Sequence, residues 1–169
     1  MLDIYYSGFD TFDLTRGQIA NIESQLGHKM LRHVLSNIYF RGKELPEIAL
    51  TSAGKPYLSD NSLEFNISHS HGKVVLAVSD TPVGIDIENE HRILSPIICR
   101  RFFAKEQATP EEWTMFESYC KLTGEGMFGV TFPPSQEVYF KSYHDIPGYV
   151  ISVCSEKQDF PASIITIVP

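Results

Sequence analysis

A long amphipathic helix between Ile19 and Phe40 is the feature that most constrains the fold of this chain. Apolar residues recur there at steps of three and four, which places them on one face of a helix. Gly42 follows and is predicted to stop the helix. The residues of the apolar face are Ile22, Leu26, Met30, Leu31, Val34, Leu35 and Ile38.

Shorter strand and helix patterns fill the rest of the chain. Helices are predicted at 96–103 and 111–123, the second stopping at Gly124. A hairpin is predicted between residues 64–68 and 73–79, joined by His69-Ser70-His71-Gly72. The other predicted strands are 1–9, 47–50, 57–58, 83–88, 136–143, 148–155 and 163–168.

The order of these elements suggests two related halves. A strand, the long helix and further strands are followed by a strand, two helices and further strands. No repeat is visible at the residue level, so the suggested duplication rests on element order alone. We therefore predict an α+β fold, with an N-terminal half at 1–82 and a C-terminal half at 83–169.

Composition narrows the class of protein. The chain has 169 residues, of which 43% are hydrophobic and 21% charged, as is ordinary for a globular domain. It contains no apolar run near the ~20 residues that span a bilayer and no signal-peptide pattern at its start. We expect a cytoplasmic protein that binds neither membrane nor nucleic acid. Its three widely spaced cysteines predict reduced core thiols.

Two carboxylates share one face of a predicted strand. Side chains alternate along a strand, so Asp86 and Glu88 point together, opposite to Ile85 and Ile87. Two carboxylates on one face repel unless a cation or water lies between them, and Mg²⁺ prefers such oxygen ligands. The alternative is a polar edge that faces solvent.

A third carboxylate, Glu117, lies on or beside the inward face of the helix at 111–123. Its neighbours in the apolar stripe are Trp113, Phe116 and Cys120. A buried acid is costly unless it is paired or bound to a metal. Lys121 follows four residues later, so an exposed Glu117–Lys121 salt bridge is the alternative.

Two short segments offer contacts for phosphate. Ser68, His69 and Ser70 end a predicted strand with three polar side chains, although local turn capping explains them equally well. Lys55 is presented from an extended segment because Pro56 disfavours helix at the preceding residue. The tripeptide Gly54-Lys55-Pro56 is not a Walker loop, which would need more glycine and a following Ser or Thr.

Four cations and no acid stand between residues 92 and 105, in a chain whose net charge is −7. Local positive charge can steer an acidic partner towards a protein that is acidic overall. The alternative is a solvated helical surface. These cations are Arg92, Arg100, Arg101 and Lys105.

Taken together and in order, these segments resemble the Sfp-type 4′-phosphopantetheinyl transferases, over about residues 26 to 155. The resemblance implies two similar α/β halves packed as a pseudo-dimer, with coenzyme A in the cleft between them. The matching segments are Gly54-Lys55-Pro56-Tyr57, Phe65-Asn66-Ile67-Ser68-His69-Ser70, Val83-Gly84-Ile85-Asp86-Ile87-Glu88, Arg101-Phe102-Phe103-Ala104-Lys105-Glu106, and Trp113 through Lys121 with Gly124-Glu125-Gly126.

The resemblance also implies an activity. The 4′-phosphopantetheine of coenzyme A would pass to a serine of an apo acyl or peptidyl carrier protein, with Mg²⁺ as cofactor and 3′,5′-ADP as the product released. The four cations between Arg92 and Lys105 would then steer the acidic carrier protein.

By the same resemblance, each candidate site residue has a role. Asp86, Glu88 and Glu117 would hold Mg²⁺ against the pyrophosphate, so that Asp86 also contacts the cofactor. Lys121 would contact a phosphate and take part in catalysis. Lys55, Ser68 and His69 would hold the 3′-phosphate of coenzyme A. Glu117, directly or through water, is the candidate base for the serine proton.

Two features depart from the family pattern. Phe116 stands where the family usually has a lysine, and the segment between Phe9 and Glu23 is short and holds a single cation, Arg16. These departures leave open a degenerate relative that binds coenzyme A or a carrier protein without catalysis. An unrelated magnesium-dependent phosphohydrolase is a third reading.

Overall fold

The computed structural model describes residues 1–52 and 54–169 and arranges them in two main sheets with three α-helices. The helices are α1 (Arg16–Val34), α2 (Pro96–Phe103) and α3 (Pro110–Thr123). The strands are β1 (Leu2–Gly8), β2 (Ile48–Leu50), β3 (Pro56–Leu58), β4 (Glu64–Ser70), β5 (Lys73–Ser79), β6 (Val83–Asn89), β7 (Tyr139–Tyr143), β8 (Tyr149–Ser155) and β9 (Ile165–Thr166). The α+β class predicted from the sequence is confirmed.

The first sheet has the order β4-β5-β1-β9. Strand β5 pairs antiparallel with both β4 and β1, and all its residues from Val74 to Ser79 are buried. Helix α1 covers one face and buries Met30, Leu31 and Val34 in the same core cluster as residues of β4 and β5. Strands β2 and β3 form a separate short hairpin.

The second sheet has the order β6-β8-β7, with every pair antiparallel. Helix α3 packs against β6 at Gly84, where a Cβ would lie 1.9 Å from the Ser118 carbonyl oxygen. Glycine is therefore required at this position, since it lets the helix backbone approach the strand. This contact brings α3 close enough to place its side chains over β6.

The two sheets meet along β4 and β6. Asn66 Oδ1 accepts a hydrogen bond of 3.0 Å from the backbone N–H of Ile85, and both groups are buried. Strand β9 adds a second connection, because it follows the second sheet in sequence and pairs parallel with β1 of the first. The division into halves at 1–82 and 83–169, and their relation as a pseudo-dimer, stay predictions.

The long helix differs from its predicted bounds at both ends. It begins earlier, at Arg16, because Thr15 and Gln18 form a capping box that satisfies the first free N–H groups. The α-helix ends at Val34 and continues as a π-helical turn, Leu35–Tyr39. Tyr39 lies in that turn and donates a hydrogen bond of 2.5 Å to Asp3 Oδ2. Apolar spacing alone does not distinguish these two helical forms.

The hairpin at 64–79 is confirmed, but its connection is shorter than predicted. Strand β4 continues to Ser70, which pairs with Lys73, so His69 and Ser70 belong to the strand. The turn consists of His71 and Gly72, with φ angles of 48° and 79°.

The predicted helix 96–103 is confirmed residue for residue, and the cysteines are buried free thiols. No helix in residues 1–52 and 54–169 combines the length and apolar character needed to cross a bilayer.

Candidate active site

Strands β4 and β6 and helix α3 enclose a polar cleft of about 310 Å³. A neighbouring cavity of about 370 Å³ extends past Lys55 to Gly124 and shares Glu117 and Lys121 with the cleft. The sequence-predicted acids and phosphate contacts therefore lie in one region. The cleft is lined by Ile67, Ser68, His69, Asp86, Ile87, Glu88, Glu117 and Lys121.

Asp86 lies at the centre of the cleft and is 4% exposed. Its Oδ1 accepts hydrogen bonds from Lys121 Nζ at 2.6 Å and from Ser68 Oγ at 2.8 Å. The alternative of a solvent-facing polar edge is wrong for this strand, because α3 and β4 cover it. Removing Lys121 would leave Asp86 buried without a cationic partner, which is strongly destabilising.

Glu88 lies two residues further along β6 and is also buried. It forms an ion pair with Arg92, and its Oε1 accepts hydrogen bonds from Ser70 Oγ at 3.1 Å and from the Asn89 N–H at 2.8 Å. The Arg92 guanidinium also lies 5.2 Å from the centre of the Trp113 ring. Arg92 therefore belongs to the site more closely than the sequence indicated.

Glu117 differs from the other two acids because no donor within the described part of the chain binds its carboxylate. Burial, reinforced by the nearby charge of Asp86, raises its pKa to about 7. Lys121 pairs with Asp86 and Ser68 instead of Glu117, so the alternative of a local Glu117–Lys121 salt bridge is wrong. A carboxylate of this kind can accept or release a proton near neutral pH.

The three acids line the same cleft, but their oxygens point to different partners. No group of three or more His, Cys, Asp or Glu side chains within residues 1–52 and 54–169 is placed to hold a metal ion as the side chains stand. Asp86 faces Lys121, and Glu88 faces Arg92. The predicted metal site therefore stays a prediction.

Comparison with known proteins identifies the family. Over 174 residues the chain is 31% identical to the 4′-phosphopantetheinyl transferase Sfp of Bacillus subtilis (strain 168), covering 84% of this chain and 77% of that protein. It is 34% identical over 170 residues to the 4′-phosphopantetheinyl transferase gsp of Aneurinibacillus migulanus, covering 78% of this chain and 68% of that protein. The chain belongs to the Sfp-type 4′-phosphopantetheinyl transferases. No protein-family model matches it.

The three residues expected to hold a 3′-phosphate are each engaged with protein partners in this transferase. Ser68 bridges Asp86 and Lys121. Lys55 Nζ donates to the Leu122 carbonyl oxygen at 3.3 Å, and burial lowers its pKa. His69 Nδ1 lies 2.8 Å from Oε2 of Glu23, a buried acid of α1.

Sequence reasoning missed Glu23. One signal was present, because Glu23 stands one helical turn before Gly27 and two turns before Met30 on the face of α1 that packs on the sheet. An acid on such a face requires a partner. Periodicity does not reveal that the partner lies on β4.

Phe116 is part of the core of the transferase and does not line the cleft. It is 1% exposed, and its ring centre lies 4.8 Å from that of Phe102 and 5.6 Å from that of Phe132. A phosphate contact is therefore not available from this position. The phenylalanine instead fills the space between α2, α3 and the segment that follows.

Three of the four predicted steering cations already have acidic partners. Arg92 pairs with Glu88, Arg100 pairs with Glu106 at 2.8 Å, and Lys105 pairs with Glu112. The Arg101 guanidinium lies 4.5 Å from the centre of the exposed Phe128 ring. The stretch is therefore less electropositive than its sequence indicated.

Proposed function

We propose that this transferase moves the 4′-phosphopantetheine group from coenzyme A to a serine of an apo acyl or peptidyl carrier protein. The observation that carries the proposal is one cleft in which Lys121 and the unpaired carboxylate of Glu117 stand beside Asp86. In the reaction, a bond forms between the serine oxygen and the phosphorus that bears pantetheine. The bond from that phosphorus to the adenosine bisphosphate oxygen breaks, and 3′,5′-ADP leaves.

Glu117 is the residue we assign to the serine proton. The serine hydroxyl must lose its proton as it attacks, and a base with a pKa near the working pH is best suited to accept it. The pKa of about 7 at Glu117 meets this requirement, whereas Asp86 and Glu88 are held by cations. Lys121 places an ammonium group in the same cleft, where it can contact a phosphate oxygen.

The donor set of the cleft fits magnesium by its chemistry. Hard carboxylate oxygens are the ligands that Mg²⁺ takes, together with substrate phosphates. Repulsion from Asp86 is one cause of the raised pKa of Glu117, and a cation between these two groups would relieve it. Asp86, Glu88 and Glu117 would hold the ion, which would compete with Lys121 for Asp86 and with Arg92 for Glu88. Bound Mg²⁺ supplies charge neutralisation at the pyrophosphate.

The test is to incubate the protein with coenzyme A, Mg²⁺ and an apo carrier protein, and to measure the mass of the carrier. A gain of one phosphopantetheine supports the proposal. Binding of coenzyme A without that gain would instead support a degenerate relative, and release of free phosphate while the carrier stays unmodified would support a phosphohydrolase.

The role of Glu117 has its own test. Glu117→Gln should abolish transfer while its circular dichroism spectrum and melting temperature stay close to those of the wild type or rise. Glu111→Gln, at an exposed position of the same helix, is the matched control and should keep full activity. Full transfer by Glu117→Gln would rule out Glu117 as the base.

We also propose that the stretch from Arg92 to Lys105 contacts the carrier protein, and that the exposed Arg100 and Arg101 take part in this contact. Replacing both by glutamate should raise the KM for the carrier at least about tenfold, while the KM for coenzyme A changes much less. The exposed pair Arg16 and Arg41, replaced in the same way, is the control. Equal effects on the two substrates would count against this surface.

A further inference from the structure

Glu23 is a buried acid that the proposed reaction does not use. It is 4% exposed, and both of its carboxylate oxygens have partners. Oε2 lies 2.8 Å from His69 Nδ1, and Oε1 accepts a hydrogen bond of 2.6 Å from the backbone N–H of Gly72. The carboxylate is thus fixed at one end of the β4–β5 hairpin, directly behind a side chain of the cleft.

The packing of α1 places Glu23 there. One turn further along the helix, Gly27 is in such close contact with β4 that a Cβ would lie 3.1 Å from Ile67 Cγ2. This close approach brings the helix within reach of the hairpin. The position of Glu23 is therefore set by the backbone and does not depend on the rotamer of an exposed side chain.

This arrangement opposes the binding of an anion at His69. If the His69 imidazole is protonated, its pair with the Glu23 carboxylate has no net charge. If the imidazole is neutral, the pair has a net charge of −1. In neither state does the pair attract a phosphate. Charge repulsion is also stronger in a partly buried cleft than in water. The other two expected contacts, Lys55 and Ser68, already bind Leu122 and Asp86.

We propose that Glu23 is a specificity-determining residue that selects against a 3′-phosphate on the donor. The inference rests on the proposed function and narrows its co-substrate: the enzyme would use 3′-dephospho-coenzyme A at least as well as coenzyme A. With that donor, the serine oxygen forms its bond to the same phosphorus and the serine proton goes to the base. The bond to the adenylate oxygen breaks, and AMP leaves in place of 3′,5′-ADP.

A competition experiment measures this selectivity directly. Equal concentrations of the two donors are mixed with enzyme, Mg²⁺ and limiting apo carrier protein, and the AMP and 3′,5′-ADP released are separated and quantified. Their early ratio gives the ratio of the two kcat/KM values, so a general loss of activity in a variant cancels. Wild-type enzyme should release at least as much AMP as 3′,5′-ADP.

Glu23→Gln keeps the shape of the side chain and its acceptor for Gly72 while removing the charge. In this variant the ratio should shift at least about tenfold towards 3′,5′-ADP, which corresponds to about 1.4 kcal/mol. Glu44→Gln, which removes an exposed charge elsewhere, should leave the ratio within about twofold of the wild type. Calorimetric Kd values of both donors in metal-free buffer should show the same selectivity and give a reading independent of turnover.

The outcomes separate this inference from the proposed function. If the carrier protein is modified but wild-type enzyme prefers coenzyme A more than about tenfold, and Glu23→Gln leaves that preference unchanged, the inference is overturned while the proposed function stands. If neither donor modifies the carrier protein, the proposed function fails, and the calorimetric ratio alone decides whether Glu23 disfavours the 3′-phosphate. If Glu23→Gln does not fold, the wild-type ratio decides.

Discussion

Replacing Gly84 by alanine tests the contact that sets the depth of the cleft. The new Cβ would lie 1.9 Å from the Ser118 carbonyl oxygen and 2.6 Å from the Leu122 backbone nitrogen. Both neighbours are backbone atoms of α3, so no side-chain rotation can make room. The helix must withdraw from β6 by about 1 Å before the contact reaches 3.0 Å, the shortest separation that Cβ atoms adopt.

Such a displacement in a close-packed interior breaks contacts along the whole helix. Overpacking of a core commonly costs about 1–3 kcal/mol, and backbone clashes belong to the upper end of mutational effects. We expect Gly84→Ala to lower the free energy of unfolding by about 3 kcal/mol or more. Gly17→Ala is the matched control, because nothing lies within 4 Å of its added Cβ. Because Gly17 is at an exposed position in the first turn of α1, that change should stabilise by up to about 1 kcal/mol.

Urea unfolding followed by circular dichroism measures both variants, and the slope of each transition shows whether the folded state keeps its compactness. Where Gly84→Ala still folds, transferase activity should fall further than stability alone explains, because the withdrawn helix carries Glu117 and Lys121 away from Asp86. An unfolding midpoint equal to that of the wild type would refute the argument that α3 rests on β6 at this glycine.

Three further predictions concern the cleft and the core. Between pH 4.5 and about 7, wild-type stability should fall by up to about 3 kcal/mol relative to Glu117→Gln, because the folded protein holds the Glu117 proton more tightly than the unfolded chain; urea unfolding at each pH with no difference between the two proteins would contradict this. Lys121→Met should cost about 3 kcal/mol, because it leaves Asp86 buried without a cation, and a double-mutant cycle with Asp86→Asn should show coupling rather than additive costs. Phe116→Ala should cost about 3–5 kcal/mol in urea unfolding and Phe116→Leu much less; a cost below about 1 kcal/mol for the alanine variant would place the ring outside the core.

The spacing of apolar residues predicted most of the fold, because residues on the buried face of a helix or strand recur with the period of that element. The apolar spacing of α1 and α3 and the alternation in β6 gave the element type, and Gly124 gave the end of α3. Where the bounds differ, backbone pairing or a capping box decided them: α1, for instance, begins at Arg16 because Thr15 and Gln18 cap it. Ser70, for example, is in a strand because Lys73 lies opposite it. The π-helical turn at Leu35–Tyr39 is too short for its apolar spacing to distinguish it from a continued α-helix.

The residues of the cleft were predictable, but not their partners. Alternation placed Asp86 and Glu88 on one face, and helical spacing placed Glu117 near the core. Which cation pairs with which acid depends on the distance between α3 and β6, which no local pattern encodes. For that reason the sequence left a Glu117–Lys121 salt bridge open as an alternative, whereas Lys121 pairs with Asp86, and Glu23 was overlooked altogether. The predicted metal ligation, the division into halves and the cytoplasmic location stay predictions.

The parallel pairing of β9 with β1 has a consequence for experiments that divide the chain. Tyr5 and Tyr6 of β1 lie opposite Ile165 and Thr166, and Ile167 donates its N–H to the Tyr6 carbonyl oxygen at 2.8 Å. A fragment that stops before β6 would leave this side of β1 as a bare strand edge, which readily recruits other chains and aggregates. Expressing the two segments together would let β9 pair with β1 and cover that edge again. Complementation of the two fragments is therefore a better assay of independent folding than expression of either fragment alone.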